Sequence, residues 1–241
     1  QQEGLSFVNS NLVNNLKFSA GGFQAKYGDK MSSVLDIEYR KPSSNAASVD
    51  LSLLGFSATL EGVSANDKWS VLTGIRYRNN SLLVNSQDIE TNFKPAFGDL
   101  QLLLTYRANR KWSYGFLGNA SLNAYHYEPK SRETNFGTID QPIALRVLYE
   151  GREKDRYQTL NSAFTVNFKP NSKLHFNAIG SIFHTVEQEY FDILAQYSLG
   201  EVNSNIGDED FGDVSFVQAI GSQLNHGRND LDALIASAEV K

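Results

Sequence analysis

Asp208, Glu209, Asp210 and Asp213 put four carboxylates within six residues, the density of oxygen ligands that a hard cation such as calcium favours. Their spacing does not follow an EF-hand loop, so Asp208, Asp210 and Asp213 stand as a metal candidate against the plainer reading of a solvated charge run. Glu187, Glu189, Tyr190 and Phe191 combine carboxylates with rings and are candidate ligand contacts. A loop without a binding role fits them equally, and 187–201 could also fold as a short helix. His126, His175, His184 and His226 lack ligand spacing, and no metal is assigned to them. No Ser/His/Asp set in motif context, glycine-rich phosphate loop or catalytic carboxylate pair occurs. The chain is read as a non-enzyme without a cofactor.

Composition narrows the remaining classes. With 0 cysteines there is no disulfide framework, thiolate zinc site or cysteine nucleophile. A net charge of −5 and no basic patch argue against nucleic acid as a partner. The 15 Phe, 11 Tyr and 18 Gly against 5 Pro and 1 Met favour short strands and turns over helices. No run of about 18 apolar residues exists for a membrane helix, but a barrel strand needs only ~9–11 alternating residues. Gln1 has no basic flank with an apolar stretch after it, so any signal peptide is removed or lies outside this sequence.

Alternation is the dominant pattern. Trp69, Val71, Thr73, Ile75 and Tyr77 share one face, and Ser70, Leu72, Gly74, Arg76 and Arg78 the other. Nine such residues at ~3.3 Å each, tilted ~40°, rise about 20 Å, close to the apolar band of a membrane barrel. Comparable strands are predicted at 100–107, 112–127, 160–169 and 174–185. Residues 46–62 switch face between Leu53 and Leu54, which predicts a tight hairpin in preference to a bulged single strand. Residues 231–241 read as the start of another strand, giving about eight in all.

Short polar connections at 64–67, 108–111 and 170–173 alternate with long ones at 79–98, 128–158 and 187–229. In an up-and-down sheet the short turns then share one rim and the long loops the other, the asymmetry of periplasmic turns and extracellular loops. Trp69 and Trp112 follow short turns and Phe168 precedes one, where an aromatic girdle would lie.

Upstream of these strands, Gly21 and Gly22 permit a turn and Gly28-Asp29 a second, before Ser32–Arg40 alternates as a strand. The run Gly21-Gly22-Phe23-Gln24-Ala25-Lys26-Tyr27-Gly28, followed by Ser32-Ser33-Val34-Leu35-Asp36-Ile37, resembles the end of the plug domain in TonB-dependent outer-membrane receptors of the Bacteroidetes type. Segments 190–202 and 228–233 also resemble elements of these receptors. The resemblance implies an all-β fold: residues 1–42 as the C-terminal part of a plug, with Gly21, Gly22, Phe23, Tyr27, Gly28, Ser32 and Ser33 at the plug–barrel junction. Residues 43–241, after the polar linker Pro42-Ser43-Ser44-Asn45, become the first strands of an antiparallel transmembrane β-barrel of about 22 strands.

It further implies energised uptake of a scarce ligand, with outer-membrane lipid, the remainder of the barrel and plug, and the TonB complex as partners. That complex would act through an N-terminal segment outside this sequence, and a surface lipoprotein or other outer-membrane subunits are candidate companions. Arg76, Arg78 and Arg107, on inward faces beside the plug, become candidate salt-bridge partners of Asp29 and Asp36; the alternative is a solvated lumen wall. Two other readings stand beside this one: an accessory or client barrel subunit of a larger outer-membrane assembly, and a soluble all-β binding domain with sheets packed face to face.

Overall fold

Period-two patterning needs a strand with two unlike faces, and the computed structural model is antiparallel β throughout its main body. It describes residues 8–22, 32–79, 81, 91–138 and 141–240. A 3-10 turn at Ser10–Leu12, capped by the Asn9 side chain accepting from the Asn11 N–H at 3.0 Å, leads into β1 (Val13–Ser19). β1 pairs antiparallel with β2 (Val34–Tyr39) to form a separate two-stranded sheet. Between them Gly21 and Gly22 take φ of +133° and +59°, the backbone freedom expected of that pair.

The main sheet is built from β3 (Ala46–Ser52), β4 (Gly55–Val63), β5 (Trp69–Asn79), β7 (Ala96–Arg107), β8 (Trp112–Pro129), β10 (Pro142–Phe168), β11 (Phe176–Val202) and β12 (Val214–Val240). They lie side by side in the order β12-β11-β10-β8-β7-β5-β4-β3, a meander of antiparallel neighbours. Two short strands lengthen it: β6 (Thr91–Phe93) pairs with the end of β8, and β9 (Arg132–Gly137) with the start of β10. Among the described residues the sheet does not close, and β3 and β12 are its edges.

The predicted hairpin at 46–62 is present: Ser52 pairs with Gly55 across Leu53-Leu54. Gly55, at φ +143°, sits where an added Cβ would lie 2.0 Å from the Tyr77 carbonyl oxygen. The three short connections share one device. Asn66 Oδ1 accepts from the Lys68 N–H (3.1 Å), Asn109 Oδ1 from Trp112 (2.9 Å), and Asn171 Oδ1 from Leu174 (3.0 Å), so each asparagine closes its turn by mimicking a backbone carbonyl.

The opposite ends differ from expectation. Segments 128–158 and 187–229, expected as long loops, are largely strand: β9 and β10 occupy most of the first, and β11 and β12 enclose only a turn at 203–213 in the second. Within 79–98, β6 and the start of β7 are strand, and the rest of its middle lies outside the described residues. The helix alternative for 187–201 gives way to β11, and 231–240 is the end of β12 rather than the beginning of a strand. The physical reason is that ladder hydrogen bonds do not require an oily face, so strands continue where alternation is carried by charged and aromatic residues. At ~3.3 Å per residue, the 27 residues of β10 extend about 90 Å.

Register separates the two faces cleanly. Asp50, Ser57, Arg76, Asp99, Ser121, Thr159 and Thr185 form one cross-strand row; Val49, Ala58, Ile75, Leu100, Ala120, Leu160, His184 and Leu234 form the adjacent row on the opposite face. The first face, here called inner, is polar and buried where the N-terminal segment packs, with Ser57, Asp99 and Gln101 all below 5% exposed. The outer face is apolar and exposed, with Ile75 at 43%, Leu100 at 50% and Leu160 at 56%. That is the reverse of a soluble sheet, whose oily face is the covered one.

Candidate functional site

Two constellations occupy the inner face. The first joins the N-terminal segment to the wall. Gly74 on β5 leaves room for that segment: a Cβ there would lie 2.8 Å from Asn9 Nδ2 and 3.1 Å from Leu12. Leu12 and Leu72 are each 1% exposed and supply the small apolar seal. Around it the contacts are polar. Asn11 Nδ2 donates to Ser57 Oγ (3.3 Å) and Asp50 (3.4 Å), and the Arg40 N–H to the Leu12 carbonyl (2.8 Å). Tyr39 Oη donates to Gln101 Oε1 (3.4 Å), Gln101 Nε2 to Asp99 (3.3 Å), and Arg76 Nε to the same carboxylate (3.0 Å), while the Arg76 guanidinium lies 5.2 Å above the Phe97 ring. Burial, and then the Asp99 charge, hold the Tyr39 phenol above its ordinary pKa against the opposing pull of Arg76.

Among the described residues Arg76 pairs with Asp99, from the neighbouring strand. Arg78 donates to Ser52 Oγ at 3.1 Å, and Arg107 is exposed at the end of β7. Asp36 stands opposite Lys17 in the small sheet. Asp29, Phe23, Tyr27 and Gly28 lie outside the described residues, whereas Ser32 and Ser33 lead directly into β2.

The second constellation sits farther along β8, β10, β11 and β12, on the same face. Tyr125, Asp155, Glu189 and Asn229 are cross-strand neighbours in one row, with Asn123, Tyr157, Glu187 and Leu231 in the row before it. Tyr157 Oη donates to Glu189 Oε1 (2.7 Å) and Asn229 Nδ2 to Oε2 (3.2 Å); these two bonds hold the Glu189 carboxyl below its usual range. The reciprocal effect, added to burial, raises the Tyr157 phenol. Burial, followed by the adjacent Asp155, raises Glu153. Asp155 itself is 4% exposed. Glu187 accepts from Thr185 Oγ1 at 3.3 Å.

Of the candidate ligand contacts, Glu187, Glu189 and Phe191 thus share the inner face, while Tyr190 points the other way, its ring edge toward His226. Tyr125, Glu153, Asp155, Tyr157 and Asn229 were not singled out from sequence; the strict alternation of Arg152-Glu153-Lys154-Asp155-Arg156-Tyr157 is the signal that marks their face. The arrangement offers hydrogen-bond acceptors and two phenols to whatever meets the inner face.

The acidic run is a turn. Asp208 accepts from Asn203 Nδ2 (3.0 Å) and Asn205 Nδ2 (3.4 Å), and Asp210 and Asp213 are exposed beside it. No group of three or more His, Cys, Asp or Glu is arranged to hold a metal among the described residues. The histidines pair singly: His126 with Glu128, His175 with Asn167, His184 with Asp232 and His226 with Asp192.

On the outer face, aromatic rings stack in a row along the short-turn rim. Trp69 lies on Tyr106 at 4.4 Å, Trp112 on Phe168 at 4.2 Å, and Tyr106, Tyr114, Phe164 and Phe176 continue the row at 6.2–6.3 Å. No protein-family model, curated protein or solved structure matches the chain.

Proposed function

We propose that this chain forms the junction of plug and barrel wall in a TonB-dependent outer-membrane receptor, a non-enzymatic transporter that draws a scarce ligand across the membrane. The observation that carries the reading is the inversion of the sheet: an exposed apolar outer face bounded by stacked aromatics, and a polar inner face seated against the N-terminal segment. On β10 the outer face carries Phe168, Val166, Phe164 and Leu160, interrupted by Ser162, before turning polar at Gln158; Phe168 to Leu160 spans about 20 Å along the membrane normal at a tilt of ~40°. The residues beyond, toward 142, then stand outside the bilayer on the ligand side, and the Tyr157–Glu189 cluster lines that vestibule.

In a bilayer the edges at β3 and β12 require partners, because unpaired backbone groups facing lipid cost several kcal/mol each. Further strands of the same barrel supply them in this reading. The accessory-subunit reading assigns them to another chain. The mass of the native polypeptide separates the two: several-fold above 26.8 kDa supports one large barrel, and a native chain near 26.8 kDa bound to other subunits supports the accessory role. A native protein that leaves the membrane fraction without detergent would remove both.

A further inference from the structure

The middle of β12 has little in its sequence to fix its register. Its inner positions there are Gln223, Asn225, Gly227 and Asn229, and its outer ones Leu224, His226, Arg228 and Asp230, so neither face is consistently apolar. A strand polar on both sides is prone to slip, because a shift of two residues costs it little hydrophobic burial. Yet β12 pairs with β11 without a break from Leu199 opposite Ala219 to Ala178 opposite Val240. Two glycines meet two rings along that ladder: Gly227 lies directly opposite Phe191, and Gly221 directly opposite Tyr197. A Cβ added at Gly227 would overlap the Phe191 ring, and one at Gly221 the ring and hydroxyl of Tyr197, so each ring occupies the space that a side chain on β12 would need. Within β12 only Val214, Gly221, Gly227 and Ala233 are other than exposed, as expected of glycines with rings laid across them. Gly180 on β11 is the contrast, since nothing lies within 4 Å of a Cβ placed there.

We propose that Phe191 and Tyr197, seated on Gly227 and Gly221, lock the register of β12 and thereby position Asn229 on Glu189. The rings and the glycines have the same spacing along their strands, 191 to 197 and 221 to 227, so one register seats both rings at once. A two-residue slip in one sense sets Phe191 against Asn225 and Tyr197 against Ala219; in the other they meet Asn229 and Gln223. Each of these four carries a Cβ where a ring now lies, whereas an aromatic ring covering a cross-strand glycine pins the pairing. The register in turn decides the inner-face cluster. Asn229 Nδ2 donates to Glu189 Oε2 at 3.2 Å because the two residues are direct partners. The slipped registers put Gly227 or Leu231 opposite Glu189, and neither has a side-chain donor. Phe191 and Tyr197 are thus positioning residues that act on Glu189 through the strand, and the lock holds whether or not the outer face meets lipid.

The test traps the register by disulfide formation in the full native polypeptide, any cysteine outside these 241 residues first being replaced. L194C/L224C reports the observed register, and L194C/S222C and L194C/H226C report slips of two residues in either sense. A disulfide needs Cα atoms within about 7 Å, which direct partners meet and partners two residues off do not. With both rings present, mild oxidation is expected to cross-link the first pair at least about tenfold faster than the other two. F191A/Y197A should bring the slipped pairs to within about twofold of the first, and F191Y/Y197F, which keeps both rings, should restore the preference. G221A fills the seat under Tyr197 and leaves both rings in place, so it is expected to raise the slipped pairs several-fold where G180A leaves them unchanged. Full preference persisting in F191A/Y197A overturns the proposal, as does an equal response to G221A and G180A. Should F191A/Y197A fail to fold, the two glycine variants decide.

Discussion

Arg76 on β5 reaches Asp99 on β7 across the inner face, with Nε 3.0 Å from the carboxylate and the Asp99 side chain fully shielded from solvent. The pair is directly opposed in the sheet register, so it needs no help from the N-terminal segment to form. Gln101 extends it to Tyr39, the last residue of β2. Arg76, one of the candidate partners of Asp29 and Asp36, thus bonds a carboxylate of its own sheet, while Asp29 lies outside the described residues.

Removing one half of this pair is costly. D99A leaves the Arg76 guanidinium, 14% exposed, without its wall carboxylate, and a loss of about 3 kcal/mol is expected from the behaviour of buried pairs. Urea titration of the folded fraction by gel mobility reads it. The double variant R76L/D99L should recover most of the loss, since an apolar replacement of both partners leaves no uncompensated charge; equal destabilisation of single and double variants would contradict the assignment.

Gly74 is expected to be a gate for docking of the N-terminal segment. G74V places methyl groups where Asn9 and Leu12 now sit, without touching the ladder of β5. Limited proteolysis should then cut within 8–22 several-fold faster while β5 and β7 keep their protection against hydrogen exchange. Unchanged cleavage would show that the segment is held by other contacts.

Glu153 gives the upper hairpins a pH dependence whose sign follows from its shift. Its folded-state pKa is raised, by burial first and Asp155 second, so folding favours the neutral carboxyl. That contribution is fully present below the unfolded value near 4.3 and is lost as pH rises through the raised folded value. Amide protection of β10 around 150–157 should therefore be greater just above pH 4.5 than at pH 7 once intrinsic exchange is corrected, and E153Q should flatten the difference. Glu189 acts in the opposite sense, its pKa being lowered by Tyr157 and Asn229, so E153Q/E189Q separates the two contributions.

The strands over 69–77 and 100–107 were legible because, Thr73 apart, every second residue is apolar from Trp69 to Tyr77 and from Leu100 to Tyr106, and a face that oily and regular has few alternative uses. Asn66, Asn109 and Asn171 made the short turns legible in the same way. The extensions beyond were not, because β10 from 142 to 157 and β11 beyond 187 alternate cations, anions and phenols, a pattern that solvated loops share. The Tyr157–Glu189 bond was hidden for a further reason. Register across 32 positions of sequence is set by pairing along the whole hairpin, and no local pattern encodes it. Alternation puts Arg76 on the face of Ser70 and Leu72, whereas its bond to Asp99 depends on which strand lies beside β5.

The central claim is that the outer face meets lipid, and the absence of cysteine from these 241 residues permits a direct measurement once any cysteine elsewhere in the native polypeptide is replaced. Single cysteines at Ile75, Leu102 and Phe116 on the outer face, and at Ser121 and Thr159 on the inner face, would carry an environment-sensitive fluorophore in the native membrane protein reconstituted with brominated lipids. Strong quenching at the three outer positions and little at the two inner ones is the predicted result. Equal quenching on both faces, or none at Ile75, Leu102 and Phe116, would contradict a membrane-facing wall.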